Sequence, residues 1–538
     1  MTAPSTSTAI PAGHRPWWPW VLLLGVALAL RLPFMGESVW IDELYTSSLF
    51  CGHPLVLAKT LYSDIHPPAY FLFMHGWIAL LGDGEWALRL PPLILGLGSL
   101  VLVQRLGRRL FSEPVGWIAA WGMTLSPTHI WYSTEGRPYA ANLFLALACL
   151  ALYLRDRERP SLGRHGVLAL VLTLTAWSHY YLAAIPAGIL AWEMLERPRG
   201  WRARALAGAL ALGLAVGLVL GKAYLSEVPT SKGYLRSFGL LEWWRLWFVW
   251  FPTGSALQPL GSQGLWGAGL HRVLPWGWFA LFALGVVSAW RQNRRALGWV
   301  LGLGAAIPAG LWVLAWAGHG QVYIERSALP SMPFVYLLMA VGFQAVRQRL
   351  GRRHAIGDGI ALAVGATVLL AFVGRGDQWT VYKPNPDWRG LSAALGARLA
   401  GAEPPVRILS DYPSPTPLTY YDPRFQETKF FAYNQAKWER AFDRLGGLPA
   451  VGPWLSKRVT QLSAEWQEHQ RVVAAATQVW MDELVVAAPD LNVPSVGTVW
   501  LLIHGAPTVR AQALMNDPRV ECGDPLSTRG LVVYPLRW

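Results

Sequence analysis

The chain has 538 residues, of which 53% are hydrophobic and only 14% are charged, and its mean hydropathy is +0.29. A soluble globular domain carries about 25% charged residues, so this composition excludes that class and is typical of a membrane protein with many spans. The net charge of +14 lies in short arginine runs between apolar segments, as in cytoplasmic loops. It therefore indicates no nucleic-acid partner.

Apolar segments long enough to cross a membrane alternate with these arginine runs up to about Gly374. The positive-inside rule places the runs, and the N-terminus with Arg15, in the cytoplasm. Eleven spans satisfy this alternation, at about residues 17–35, 88–104, 115–131, 138–154, two within 167–195, 205–221, 274–290, 298–317, 328–346 and 357–373. An uncleaved first span is favoured over a signal peptide cleaved near Ala29, and both give the same orientation.

Two further regions lie outside the membrane in this topology. The stretch from Tyr70 to Leu81 is short and has no basic flank, which predicts a helix on the outer surface. Residues 375–538 follow the eleventh span and carry a mixed pattern of one helix and several strands. That pattern has a helix from Trp388 to Leu399 and strands at Val406 to Ser410, Val499 to Ile503 and Leu531 to Tyr534.

The predicted fold class is an α-helical polytopic membrane protein with about 11 transmembrane helices and a C-terminal extracytoplasmic α/β domain. Residues 1–374 form the membrane module, with a first outer loop at 36–68, and residues 375–538 form the outer domain. The outer domain has no glycine-rich phosphate fingerprint after a strand, which argues against a nucleotide site there.

Candidate functional residues come from the ionisable side chains that this topology places on the outer face. They are Asp42, Glu43, Asp64, His66, Glu135, Arg137, His179, Lys222, His319 and Arg326. Their convergence on one site is a hypothesis from the parity of the spans. Since adjacent residues on a helix point about 100° apart, one of Asp42 and Glu43 is expected to act and the other to support it.

Structural roles are open for four of these residues. Asp42 is also a suitable N-cap for a helix that begins at Glu43, and Glu135 is also placed to pair with Arg137. His66 precedes two prolines and fits a turn, while His179, beside two tyrosines, fits an aromatic belt at the membrane interface.

A resemblance to a known family rests on a set of short motifs in a fixed order. They are Trp40-x-Asp-Glu43, His66-Pro-Pro68-x-Tyr70, Ala87-Leu-Arg-Leu-Pro91, Ser126-Pro, Tyr132-Ser-x-Glu-x-Arg-x-Tyr139, Ser178-His-Tyr-Tyr181, Glu325-Arg326 ahead of Pro330, and Pro386-Asp-Trp-Arg389. Over about residues 15 to 395 the chain resembles the bacterial relatives of protein O-mannosyltransferases and aminoarabinose transferases. These are glycosyltransferases of the GT-C class that use polyprenyl-phosphate sugars.

The resemblance implies a multi-span helical bundle in the bacterial plasma (inner) membrane, with the catalytic acid in the first outer loop. The family's acidic pair corresponds to Asp42 and Glu43, with Asp42 as the base. Its residues that meet the donor phosphate or substrate correspond to Arg137, His179 and Arg326, with Glu135 and His66 in the same motifs. The implied partners are a polyprenyl-phosphate-linked sugar, membrane lipid, and a lipid, glycan or protein acceptor, as in a cell-envelope glycan or lipopolysaccharide.

The residue types fit this chemistry independently. A carboxylate takes the proton of the acceptor hydroxyl as it attacks the anomeric carbon, and cations stabilise the departing phosphate. The residues single out no cofactor, and a divalent cation, Mg²⁺ or Mn²⁺, is left open because paired acids suit it. The three cysteines show no metal-like spacing, and a disulfide between Cys51 and Cys522 is left open.

Two other classes of function compete with an enzyme. A transporter or flippase for a lipid or sugar places ionisable residues near the bilayer midplane and often has inverted repeats, whereas the acids here lie mostly in outer loops and no repeat is visible. A surface receptor anchored by its spans would not need eleven of them.

Overall fold

The computed structural model describes residues 16–47, 51–52, 57, 67–225, 237–253, 267–316, 325–351, 355, 358–359, 387–398, 406–410, 418–422, 425–427, 499–504, 521–528 and 531–537. Most of these residues are helical. The α-helices are Trp18–Ala29, Ile41–Leu44, Ala69–Leu81, Glu85–Leu110, Glu113–Leu125, Pro127–Tyr132, Tyr139–Glu158, Leu162–Ser178, Ala184–Glu196, Trp201–Leu225, Leu240–Arg245, Phe251–Thr253, Gly267–Gln292, Arg294–Leu314, Met332–Leu350, Trp388–Arg398 and Leu418–Tyr421. Three 3-10 helices, Leu32–Phe34, Tyr180–Ala183 and Glu325–Ser331, and a π-helical turn at Leu246–Trp250 lie between them.

The helical membrane architecture predicted from the sequence is present. Six helices in the described ranges are long and apolar enough to cross a membrane by length and composition, namely Glu85–Leu110, Tyr139–Glu158, Trp201–Leu220, Val273–Gln292, Arg294–Leu314 and Glu325–Leu350. The predicted spans near 17–35, 115–131 and 167–195 correspond to shorter helices. Since the eleventh span, 357–373, lies almost wholly outside the described residues, the count of eleven stays a prediction.

Two predicted spans end earlier than expected, each for a local reason. The span at 115–131 breaks at Ser126, because Pro127 disfavours helical geometry in the residue before it. The Ser126 hydroxyl instead accepts the His129 amide at 3.3 Å and starts a new helix. The first helix stops at Ala29, and Arg31 beyond it is fully buried with its guanidinium donating to the Ala27 carbonyl at 2.8 Å.

The arginine-bearing ends of the helices meet at one end of the bundle. Arg204 donates to Glu193 at 2.9 Å and to Asp156 at 3.2 Å, and all three side chains are fully buried. Nearby, Arg157 pairs with Glu196 at 2.6 Å. A buried pair needs such close geometry to offset the cost of desolvation. The starts of the helices at Glu85, Tyr139 and Met332 therefore lie at the opposite end, where the candidate residues are found.

Close helix packing in this bundle depends on glycine. Gly285 of Gly267–Gln292 lies against Leu338 of Met332–Leu350, and Gly342 lies against Leu281, so that a Cβ atom at either glycine would overlap a backbone carbonyl. Small residues let two backbones approach in this way. The second of these helices is buried along most of its length, which fixes the position of the residues that precede it.

A mixed sheet of six strands forms the C-terminal part. The strands are β1 (Val406–Ser410), β2 (Phe425–Glu427), β3 (Val499–His504), β4 (Glu521–Cys522), β5 (Leu526–Thr528) and β6 (Leu531–Arg537). β1 pairs in parallel with β2 and β3, while β6 runs antiparallel to β3, β4 and β5. The elements predicted at 388–399, 406–410, 499–503 and 531–534 are thus present. The division at residue 375 and the outer location stay predictions.

Candidate active site

The short helix Ile41–Leu44 carries both acids of the sequence-predicted pair, and it directs them to different partners. Its N-cap is Trp40 in extended geometry, and the Glu43 carboxylate accepts the Trp40 amide at 3.0 Å. The alternative role of Asp42 as an N-cap is therefore wrong, because the helix begins one residue before it. We refer to residues 36–44 as the acidic segment.

Glu43 is the buried acid of the pair. Its side chain is 1% exposed and forms a bidentate ion pair with Arg89, at 2.9 Å to Nε and 2.6 Å to Nη2. It also accepts the amide of Gly136 at 2.7 Å. Burial favours the neutral acid, but the guanidinium and the two amides outweigh it and hold the pKa of Glu43 below its usual value. Glu43 is therefore a fixed anion with its oxygens occupied.

Arg89 also holds the backbone that leads to the acids. Its guanidinium donates to the carbonyls of Met35 at 3.2 Å, Glu37 at 2.6 Å and Ser38 at 3.0 Å. Arg89 lies in the motif Ala87-Leu-Arg-Leu-Pro91, from which no role was predicted for it. A signal was available, since it is a basic residue at the outer start of an apolar span, where the positive-inside rule disfavours one.

Asp42 is the accessible acid. It pairs with Arg326 at 2.7 Å between Oδ2 and Nη1, and both side chains are 22% exposed. The guanidinium carbon of Arg326 lies 5.6 Å from the centre of the Tyr139 ring, within the range of a cation–π contact. The 3-10 helix Glu325–Ser331 carries Arg326 and contacts the helix Tyr139–Glu158. Residues 284 positions apart thus meet as the sequence predicted.

The turn at residues 135–137 brings a second predicted arginine to the same place. Its Gly136 amide binds Glu43, and the guanidinium of Arg137 lies 5.6 Å from the ring centre of Tyr45 and 5.7 Å from that of Phe71. Glu135 is buried and accepts the indole N–H of Trp131 at 2.6 Å. The structure therefore gathers Asp42, Glu43, Arg137 and Arg326, with Glu135 at the edge.

Of the three predicted histidines, only His179 lies among the described residues. His179 is buried and accepts the Tyr181 amide at 3.3 Å through Nδ1, so it caps the 3-10 helix Tyr180–Ala183. That helix contacts the one that carries Arg326. The predictions for His66, Asp64, His319 and the Lys222 side chain lie outside the described residues.

A buried polar group that the sequence reasoning missed lies beside the turn. His129 contacts Arg31 at 2.7 Å through Nδ1 and Ser99 at 2.9 Å through Nε2. The ring therefore joins the helix Pro127–Tyr132 to the helix Glu85–Leu110 and to Arg31, which lies beyond the end of the first helix, ahead of Glu135.

Among the described residues, no group of three or more His, Cys, Asp and Glu side chains is placed to hold a metal ion. Asp42 and Glu43 also face different arginines. The pair as described therefore does not form a shared cation site, and dependence on Mg²⁺ or Mn²⁺ stays a prediction.

Comparisons with known proteins support the resemblance drawn from the motifs. A model of the family described as dolichyl-phosphate-mannose-protein mannosyltransferase matches residues 65–222. ArnT from Cupriavidus metallidurans in the apo state aligns over 96% of this chain and 97% of its own, with 12% identity and a TM-score of 0.52. The same protein bound to undecaprenyl phosphate aligns over 97% and 98%, with 13% identity and a TM-score of 0.50. No curated protein matches the chain.

These likenesses define a class. The chain has the helical membrane fold of the GT-C glycosyltransferases, as the motifs predicted. Its particular resemblance is to the dolichyl-phosphate-mannose-protein mannosyltransferase family over residues 65–222 and to ArnT along nearly the whole chain.

Proposed function

We propose that this protein is an inverting glycosyltransferase that moves a sugar from a polyprenyl-phosphate donor to a hydroxyl acceptor on the outer face of the plasma membrane. The observation that carries the proposal is the partly exposed Asp42–Arg326 pair, with Arg137 in the turn that binds the neighbouring Glu43. A general base and two phosphate-binding cations are what this transfer needs. The ArnT structure with undecaprenyl phosphate supports a lipid-linked donor.

The arrangement suggests an order of events. In the resting protein Arg326 neutralises Asp42 at 2.7 Å. A donor phosphate competes for the same guanidinium, which binds two phosphate oxygens well, and leaves Asp42 free to accept a proton. The acceptor oxygen then bonds to the anomeric carbon as the carbon–oxygen bond to phosphate breaks. Asp42 takes the hydroxyl proton, and the arginines hold the departing polyprenyl phosphate. One displacement of this kind inverts the anomeric carbon.

The supporting carboxylate has a different task. Glu43 has both oxygens engaged by Arg89 and by backbone amides, so it has little capacity to accept a further proton from substrate. It holds the acidic segment against the turn at Gly136. Asp42 is therefore the base and Glu43 its positioning partner. The bound lipid, sugar and acceptor follow from the resemblance, with a lipid, glycan or protein hydroxyl as the acceptor.

Transport is the weaker alternative. Every acid in the described helices lies in a first or last turn rather than at mid-helix, whereas transporters place ionisable residues near the midplane. The described part of the chain thus favours chemistry at one end of the bundle.

The test is transfer by purified protein in lipid vesicles, with synthetic polyprenyl-phosphate sugars as donors. We expect product with inverted anomeric configuration, no use of nucleotide sugars, and a loss of about a hundredfold or more in Asp42→Asn. Arg326→Lys keeps the charge but loses the fork, so donor use should fall. Arg295→Lys, at an exposed arginine on the opposite end of the bundle, is the matched control. Retention, or transfer from a nucleotide sugar without lipid carrier, would overturn the proposal.

A further inference from the structure

The start of the C-terminal part binds the acidic segment directly. The Tyr421 hydroxyl accepts the amide of Val39 at 2.6 Å and donates to Glu85 at 3.0 Å. Arg389 also donates to Glu85 at 3.0 Å, and its Nη2 reaches the Gly36 carbonyl at 3.1 Å. Tyr421 thus binds the backbone three residues before Asp42, although it lies 382 positions from Val39 in the chain.

A second set of hydrogen bonds holds Ser38, which lies between Gly36 and Val39. The Ser38 hydroxyl donates to Asp387 at 3.2 Å and accepts the Arg389 amide at 3.3 Å. Arg89 of the membrane module binds the carbonyls of Glu37 and Ser38 in the same stretch. Residues 36–39 are therefore held both by the membrane module and by the C-terminal part.

The Tyr421 side chain is held by packing of its ring and by hydrogen bonds of its hydroxyl. Its ring lies against a buried apolar cluster that includes Val39, Leu44 and Leu88. Burial raises the pKa of Tyr421, so the phenol stays protonated and donates to the Glu85 carboxylate. The single hydroxyl of Tyr421 makes both contacts, because it accepts from the Val39 amide and donates to the Glu85 carboxylate.

We propose that Tyr421, with Glu85 and Arg389, is a positioning element through which the C-terminal part sets the catalytic geometry of Asp42. The element acts through the backbone from Val39 to Asp42, because Tyr421 binds the amide of Val39, two residues before the helix Ile41–Leu44 that carries the acid. Misplacement of a reacting group by about 1 Å costs up to a hundredfold in rate. The rate effect rests on the proposed function, whereas the ordering effect does not.

The experiment compares Tyr421→Phe with Tyr420→Phe in the full-length protein. Both substitutions keep the ring and remove one hydroxyl, but Tyr420 donates to the Asp83 carbonyl and not to the acidic segment. In Tyr421→Phe we expect faster amide hydrogen exchange in residues 38–44 and a fall in kcat of about tenfold or more, with KM for the donor within about twofold. Tyr420→Phe should change neither the exchange nor kcat.

Two substitutions of Glu85 test whether its side-chain oxygen is needed as the hydrogen-bond acceptor of Tyr421 and Arg389. Glu85→Ala should reproduce the Tyr421→Phe profile, while Glu85→Gln keeps an acceptor for both partners and should restore it. Unchanged exchange in residues 38–44 of Tyr421→Phe would overturn the ordering effect, and faster exchange with unchanged kcat would overturn its link to catalysis. If the parent protein transfers no sugar, the proposed function fails, but the exchange measurement still decides the ordering effect.

Discussion

Replacement of the two neighbouring acids by their amides should give opposite profiles of stability and activity. In Glu43→Gln the buried Arg89 loses its counter-charge, and the new amide nitrogen faces donors on every side. Breaking one partner of a buried ion pair costs about 3–5 kcal/mol. The Asp42–Arg326 pair is 22% exposed on each side, and pairs in contact with water contribute only about 0–1 kcal/mol.

The two variants should therefore differ by at least about 2 kcal/mol in the free energy of unfolding. We expect Asp42→Asn to unfold much like the parent in detergent and to lose about a hundredfold or more of its transfer rate. Glu43→Gln should unfold at clearly milder conditions. The measurement is equilibrium or thermal unfolding of purified variants, paired with transfer from a polyprenyl-phosphate sugar.

The result that would refute this reasoning is equal destabilisation of the two variants, or full stability in Glu43→Gln. The first outcome would mean that Asp42 also holds the fold, and the second would mean that Arg89 is not a buried cation that depends on Glu43. An Arg89→Lys variant sharpens the test, because a single ammonium has three donors and cannot reproduce the bidentate fork.

Three further predictions concern stability. The pKa of Glu43 is lower in the folded protein than its unfolded value of about 4.5, so its ionisation stabilises the fold above that pH. This stability is lost as the pH falls toward the folded pKa. Glu43→Gln should therefore flatten the acid limb of a curve of unfolding free energy against pH. Gly285→Ala should cost about 1–3 kcal/mol by overlap with a neighbouring backbone carbonyl, while Gly277→Ala, with open space on the same helix, should cost nothing in the same unfolding assay. Tyr153→Phe should cost about 1.5–3 kcal/mol because its hydroxyl bonds two charged groups; Tyr139→Phe, whose buried hydroxyl has no hydrogen-bond partner among the described residues, should unfold no earlier than the parent.

The sequence predicts this fold well where one physical rule dominates. Apolar length and arginine placement locate most of the helices and the end of the bundle that carries the acids. The rules fail at helix ends, where local chemistry decides. Ser126-Pro127 restarts a helix inside a predicted span, and Arg31 lies buried beyond the end of the first helix. Neither event changes the hydrophobic pattern.

The site was predictable as a set of residues but not as a set of pairs. Parity of the spans brought Asp42 and Arg326 to one face, and the structure joins them at 2.7 Å. The partner of Glu43 was not predicted, because the unusual place of Arg89 near the outer start of an apolar span does not say which acid it meets. Long-range bonds such as Tyr421 to Val39 leave no periodic trace in the sequence.

The two ends of the bundle differ in how deeply their ion pairs are buried. At the arginine-rich end, Asp156, Glu193 and Arg204 are fully buried and bound to one another, so exchange of partners there would leave a charge unpaired at high cost. At the other end, Glu43 and Arg89 form an equally buried pair, yet Asp42 and Arg326 beside them are each 22% exposed. Only the Asp42–Arg326 pair can exchange its ion pair for contacts with a substrate at a low cost in free energy. We therefore expect the adjacent carboxylates to differ in function, because Glu43 faces a fully buried cation and Asp42 faces a cation that is partly exposed to water, and thus to a phosphate.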